Sequence, residues 1–260
     1  VAFNEYAVLS PLVRMLTMSW ITEVCHQLGM DKCVMFNAYN LYDRAMLASK
    51  GVTTKEAFLI ATVCARVAEK YHTAYVSPIS DYVAMCNFEY TIDDIKALEF
   101  TVLNSLGWEV GHSTVSDLWG FWWPSIKKDL SLQERQETPL RGLYHYICAM
   151  AITYRHDFLV GKNMSLVAAS AMYLASFYFT TCDMWGSNMM YASTYAFEEI
   201  RDCAYEMWDI GRKELSREGD ATRQDKTLID AYEEFTVYFK PYQSVPHLVT
   251  DYLKIKHSKS

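Results

Sequence analysis

Two stretches of this chain, 107 positions apart, spell one helix twice, and only a helix with neighbours on every side can look like it. Leu59 to Lys70 reads LIATVCARVAEK, and Leu166 to Phe177 reads LVAASAMYLASF. Leu59, Ala61 and Ala68 recur as Leu166, Ala168 and Ala175. A helix that is apolar on nearly every face is one that its neighbours surround. Such a helix needs a bundle around it, so its repetition predicts two similar all-α bundles in tandem, each built round a central helix. The copies differ at one end: Lys70 closes the first and Phe177 stands at that place in the second.

Length fits this division. A chain of 260 residues suits two ordinary domains by the usual range of about 100–200 residues each. Hydrophobic residues make up 51% and aromatic residues 15%, enough for two cores. Nineteen Tyr and seven Trp exceed what packing needs and point to a surface where a partner docks. Net charge is −7 and the pI is near 5.5, which argues against nucleic acid, whose phosphates are bound by clustered Lys and Arg. Seven scattered cysteines (Cys25, Cys33, Cys64, Cys86, Cys148, Cys182, Cys203) include no C-x-x-C and read as reduced, buried thiols. No run of about 18 apolar residues and no charged leader occurs, so neither a membrane span nor a signal peptide is expected.

Caps and breakers place the helices. Ser10-Pro11 opens one over 11–28. Asp31 caps 32–48, Thr53 or Thr54 opens 54–72, Ser77-Pro78 opens 78–86, and Thr91 caps 92–106, which Gly107 ends. The second unit is predicted to hold helices near 114–122, 137–153, 162–180, 183–190 and 194–215. After the break at Glu218-Gly219-Asp220 a further helix is expected near 225–237. The domains are thus 1–110, 111–217 and a tail, 218–260.

Catalytic signals are sparse. There is no glycine-rich nucleotide loop and no nucleophile signature. Two Glu-x-x-His runs, Glu23 to His26 and Glu69 to His72, have the spacing that di-iron carboxylate bundles use. On a helical wheel, however, Glu69 falls opposite the stripe Ile60, Cys64, Val67, Tyr71 and so should point outward, whereas a metal ligand points in. Asp93-Asp94, Glu198-Glu199 and Glu233-Glu234 read as solvated faces near helix starts. Trp122-Trp123-Pro124 reads as core and a helix end. The lone histidines His112, His145, His156 and His247 suggest no partner. No catalytic residue, metal site or cofactor is expected.

The remaining constellation resembles a known family. Val13 to Val24, VRMLTMSWITEV, is similar to the M-R-x-I-L-x-x-W-L-x-E-V opening of the cyclin box. Ala38 to Arg44 resembles its A-x-x-Y-x-D-R, Ala68 to Tyr71 its A-x-K-[FY], and Leu98 to Trp108 its M-E-x-x-[IV]-L-x-x-L-x-[FW]. The resemblance covers about residues 10–110, while Met164 to Ala171 looks like the central helix of a C-terminal cyclin fold. Tyr232 to Lys240 is similar to the tail of A- and B-type cyclins, the mitotic group.

The resemblance implies two tandem five-helix cyclin-box bundles and a C-terminal helical tail, in a regulatory subunit that binds and activates a cyclin-dependent protein kinase in cell-cycle control. Such a chain does no chemistry itself and works in nucleus and cytoplasm. By the same resemblance Lys70 and Glu99 face each other and the kinase, with apolar contact from Tyr71, Leu103, Trp108 and Val110. A docking groove for substrate or inhibitor peptides is implied at Val13, Leu16, Thr17, Trp20, Glu23, Ala57 and Phe58, with Glu23 set for a cationic side chain. Here the chain departs from the family, with Thr17 for Leu, Ala57 for Leu and Phe58 for Gln, so the groove is expected to be reshaped. The mitotic group's helix ahead of the first box is not expected in Val1–Leu9, which is too short for it. Two other readings remain. A general transcription factor of the IIB type shares the tandem fold, but the acidic pI and the Lys70 and Glu99 pair oppose it; the other is the di-iron bundle weighed above.

Overall fold

The computed structural model describes residues 11–49, 51–87, 89–130, 134–155, 162–180 and 185–217. Among them are ten α-helices and no strand: α1 Pro11–Gln27, α2 Lys32–Ala48, α3 Thr54–His72, α4 Ile79–Met85, α5 Ile92–Ser105, α6 Val115–Leu130, α7 Glu134–Tyr154, α8 Met164–Thr180, α9 Ser187–Ser193 and α10 Phe197–Arg217. The described residues fall into two compact units, one reaching Asp117, the other running from Leu118 to Tyr154 and on from Lys162. The tail helix expected near 225–237, Glu233-Glu234, His156, His247 and Cys182 lie outside the described residues.

In the first unit α3 is the enclosed helix. It packs against α1, α2 and α5. Ala57, Ala61, Val63, Cys64, Ala65 and Ala68 have no exposed surface, and Ile60 and Val67 almost none. Each large apolar side chain so buried is worth ~1.5–3 kcal/mol, and the alanines let the neighbouring backbones approach. The Thr53 hydroxyl accepts from Glu56 N–H while the Glu56 carboxylate accepts from Thr53 N–H, a complete capping box worth about 1 kcal/mol. Thr91 and Asp94 form the same device at α5.

Two start signals act differently from expectation. Asp31 stands at the N-cap of α2 without a side-chain hydrogen bond there. Pro78, not Ser77, is the N-cap of α4, because the Ser77 hydroxyl donates to Glu69 Oε1 (2.7 Å) instead.

The α1–α2 contact centres on a buried ion pair. Arg14 Nε and Nη2 donate to the two oxygens of Asp43 at 2.9 and 2.7 Å, with Arg14 8% and Asp43 1% exposed. The matched fork satisfies both charges at once.

The second unit repeats the plan around α8, which packs against α7 and α10. Val167, Ala168, Ala169, Ser170, Ala171, Met172 and Ala175 are wholly buried. Trp119 stacks on Trp123 (4.9 Å between rings) and leans on Tyr144 of α7 (5.1 Å). Trp122 and Trp123 are core, as expected, but α6 does not end there: Pro124 lies inside it. A proline removes one helical hydrogen bond. The Trp residues and Ile126 buried along α6 offset that loss and carry the helix past it.

Cys25, Cys64, Cys148 and Cys203 are buried free thiols, and burial pushes the Cys25 thiol up to about 12. Glu198 and Glu199 lie exposed in the first turn of α10, as expected.

The Arg14–Asp43 fork sets the first prediction. Asp43→Asn takes the bidentate carboxylate away from a buried guanidinium and should lower unfolding free energy by about 3–5 kcal/mol in urea titrations. Arg14→Met combined with Asp43→Leu should restore most of the loss, because apolar packing then replaces the buried fork.

Candidate functional site

The polar pair singled out in the sequence meets at the end of the enclosed helix. Arg66 and Lys70 lie one turn apart on α3, on the side that faces α5. Glu99 lies on α5, four residues after buried Ile95 and three before buried Val102, at the margin of the core face. Lys70 Nζ donates to Glu99 Oε1, and Arg66 Nε lies 3.5 Å from Glu99 Oε2. The Glu99 side chain is only 12% exposed, while that of Lys70 is 42% exposed. Glu99 is thus a nearly buried carboxylate between two cations, of which only Lys70 reaches solvent.

Exposed aromatics surround this pair. Tyr71 is 55% and Trp108 59% exposed, and Phe100 is 60% exposed with its ring edge-on to Trp108 at 6.3 Å. Leu103 and Val110 are half-buried. The sequence reading missed Phe100; its signal was a large apolar residue beside Glu99, off the Ile95, Val102, Leu106 stripe. Tyr71 is exposed and not on a buried stripe as the helical wheel had it, since α3 has emerged from the bundle by that turn.

The chain after α5 is held by backbone geometry. Gly107 takes φ +61° and Trp108 φ +63°; Trp108 N–H donates to Leu103 O (2.9 Å) and Gly107 N–H to Asn104 O (3.1 Å). This is a Schellman closure, with Trp108 and Leu103 at the positions that make its apolar contact. The indole N–H of Trp108 donates to Asn104 Oδ1 (3.1 Å). From α2, Asn37 Nδ2 donates to Val110 O (3.1 Å) and Arg44 Nη1 to Glu109 O (2.7 Å). Gly111 then passes so close to Tyr71 that a Cβ there would lie 2.2 Å from the phenol oxygen.

Glu69 corrects the helical-wheel reading. It is 4% exposed and points inward. It accepts from Ser77 N–H (3.1 Å), Ser77 Oγ (2.7 Å) and Tyr82 Oη (2.7 Å), and burial together with that carboxylate raises the Tyr82 phenol well above its ordinary value. The wheel failed because an enclosed helix has no outward face: Ser77 and α4 cover the side that should have met water. Among the described residues no three His, Cys, Asp or Glu side chains cluster as a metal site, and donors already occupy the Glu69 oxygens. Burial also lowers His72, opposed by Asp117.

A second constellation lies on α1 and α3. The Trp20 indole N–H donates to Thr62 Oγ1 (2.8 Å), and its ring meets Phe58 edge-on at 6.2 Å. Val13, Leu16, Trp20, Glu23 and Phe58 are all part-exposed. Thr17 and Ala57 have no exposed surface, so a surface ligand could feel them only through these neighbours. The Thr17 hydroxyl is instead hydrogen-bonded to Tyr42 Oη at 2.8 Å. Glu23 accepts from Gln27 Nε2, one turn along.

Comparison with known proteins follows the same division. The family described as "Cyclin, N-terminal domain" matches residues 3–111, and "Cyclin, C-terminal domain" matches residues 127–226. Cyclin-B1-1 of Arabidopsis thaliana is 24% identical over 200 residues, which is 75% of this chain and 44% of that protein. G2/mitotic-specific cyclin S13-7 of Glycine max is 26% identical over 74% of this chain and 70% of its own. Cyclin-A1-2 of Oryza sativa subsp. japonica is 24% identical over 75% of this chain, but only 40% of its own length is spanned. Among solved structures, a viral cyclin from herpesvirus saimiri superimposes with a TM-score of 0.63 at 18% identity, over 76% of this chain and 87% of that one. A chain of the CAK complex from Chaetomium thermophilum bound to ATP-γ-S does so with a TM-score of 0.58 at 14% identity, over 90% and 70%.

The closeness of Gly111 to Tyr71 is directly testable. Gly111→Ala should push the Tyr71 ring off its seat while leaving the thermal midpoint within a few degrees, because the displaced atoms end an exposed side chain. A crystal structure of the variant with Tyr71 unmoved would contradict this.

Proposed function

Since this chain belongs to the cyclin family, we propose that it is the regulatory subunit of a cyclin-dependent protein kinase, and that it engages the kinase through the Lys70–Glu99 pair and the aromatics around it. The single observation that carries this reading is a part-exposed Lys70 bonded to a nearly buried Glu99 and opening onto a rim of exposed Tyr71, Phe100 and Trp108. An exposed ion pair contributes only ~0–1 kcal/mol to a fold, and large aromatics are not left in water for stability's sake. Aromatic anchors around a charged pair are the layout of a binding hot spot, in which the charges fix orientation more than affinity.

On this reading activation is a population shift. The subunit binds best to the kinase conformation whose signature helix and activation loop are catalytically placed, and its differential affinity draws the kinase into that state. The chain itself supplies no reacting group. It acts in the nucleus and cytoplasm, where a kinase of cell division meets its substrates.

Trp20, Phe58, Val13, Leu16 and Glu23 form the proposed docking groove for substrate or inhibitor peptides. The Trp20 N–H is taken by Thr62, so the indole presents its apolar flank. Phe58 offers area and no hydrogen-bond group where the family has an amide. The preferred motif is therefore more apolar than Arg-x-Leu, with Glu23, which accepts from Gln27 through Oε1, offering Oε2 to a cation.

Three outcomes are expected. Truncation of Lys70 or Glu99 to Ala should weaken binding of a purified mitotic cyclin-dependent kinase by about 2–5 kcal/mol in calorimetry, since the partner's polar groups are left buried and unpaired. Lys70→Glu with Glu99→Lys should abolish binding with the helical circular dichroism unchanged; wild-type affinity in these variants places the kinase elsewhere. Trp20→Ala should slow phosphorylation of docking-dependent substrates and leave a short motif-free peptide unaffected. A peptide array of the complex that favours Arg-x-Leu unaltered would rule out the reshaped groove.

A further inference from the structure

The three charges at the end of α3 are not equivalent. Among the described residues Lys70 is tethered only by its bond to Glu99, and its side chain is 42% exposed. Arg66 is fixed more firmly: Nη1 donates to Ser77 O (3.0 Å), the guanidinium lies 5.3 Å from the centre of the Tyr82 ring, and its side chain is only 12% exposed. Ser77 and Tyr82 are themselves held by Glu69, one turn from Arg66 on the same helix. Ser77 is thus gripped through its N–H and hydroxyl by Glu69 and through its carbonyl by Arg66.

One atom of this assembly is unsatisfied. Arg66 Nε is buried and makes no hydrogen bond, although it lies 3.5 Å from Glu99 Oε2. A buried donor without an acceptor is a costly arrangement that a small movement of Glu99 would relieve. That movement becomes available when Lys70 lets go of Glu99.

Resting on the reading of Lys70 and Glu99 as the partner-facing pair, we propose that Arg66 is a positioning residue: it holds Glu99 as a standing counter-charge and so frees Lys70 to bond the partner. Lys70 can then exchange a carboxylate for a partner carbonyl without stranding Glu99, whose charge stays paired with Arg66. Without Arg66, Lys70 is the sole counter-ion of Glu99, and releasing it leaves a nearly buried carboxylate alone, which opposes binding. Arg66 need not touch the partner to have this effect.

The test is a double-mutant cycle read by calorimetry against a purified mitotic cyclin-dependent kinase. Arg66→Gln keeps an N–H donor for Ser77 O and removes the charge; Glu99→Gln removes the carboxylate. Glu99→Gln alone should weaken binding at least tenfold and Arg66→Gln alone five- to tenfold. Arg66→Gln added to Glu99→Gln should change affinity less than twofold, because there is no longer a charge to hold. Arg66→Lys, which keeps a cation against Glu99, should bind within threefold of wild type. Additive losses, or an Arg66→Gln variant that binds like wild type while Glu99→Gln does not, would overturn the role of Arg66 and leave the kinase face standing. Wild-type binding by Glu99→Gln would bring down the face and the inference together. Should Arg66→Gln fold poorly by circular dichroism, Arg66→Met in the same cycle carries the comparison, and its additivity with Glu99→Gln decides alike.

Discussion

Enclosure of α3 is the constraint on which the first unit depends. A helix packed against α1, α2 and α5 has no face to give to water, so each polar group along it must find a partner inside the protein. Thr62 bonds the Trp20 indole, Glu69 takes Ser77 and Tyr82, and Arg66 takes Ser77 and faces Glu99. At its C-terminal end, where the helix leaves the bundle, a charged head, Lys70, reaches solvent. The proposed kinase face therefore sits where enclosure stops. Its geometry is inherited from the core, because every group behind Lys70 is fixed by packing that stability already requires.

Much of this was legible in the sequence, for physical reasons that differ by element. Helices α1 to α5 were placed nearly to the residue, since Thr53, Thr91 and Gly107 act locally and need no tertiary partner to do so. The all-round apolar character of α3 and α8 announced their burial. The errors arose where tertiary structure overrides local preference. Ser77 reads as a cap but serves Glu69, and Pro124 reads as a stop but is carried through by buried tryptophans. Glu69 reads as outward because a wheel assumes two faces. Of the proposed site, Lys70 and Glu99 were named from family resemblance, while Phe100 and Arg66 were not. Phe100 looked like any apolar residue on an amphipathic helix, and the part played by Arg66 depends on the loop that closes over it.

The second unit shows what the same scaffold becomes without that exit. Along α8, Ser170 and Ser176 are the buried polar residues, and Ser170 Oγ bonds Leu166 O within its own helix. Half-buried Phe177 stands where the first unit has Lys70. Aromatic packing takes over: Tyr173 meets Phe197 at 5.1 Å and Trp185 at 6.3 Å, and the Trp185 N–H donates to Tyr195 O (2.7 Å). Tyr173 stands where the first unit has Arg66. The repeat thus preserves the requirement for a surrounded helix and sets the aromatic side chains of Tyr173 and Phe177 where the first unit has Arg66 and Lys70.

The buried thiols give the two units separate clocks. Cys25 and Cys64 lie in the core of the first, Cys148 and Cys203 in that of the second, and desolvation raises the pKa of Cys25, Cys64 and Cys148. A thiolate, not a thiol, attacks an electrophile, so these sulfurs stay silent until their surroundings open. Their alkylation rates then measure the opening free energy of each unit by itself, in the way amide exchange does for backbone groups. Without any engineered label, the chain carries internal reporters of whether its halves breathe together or apart.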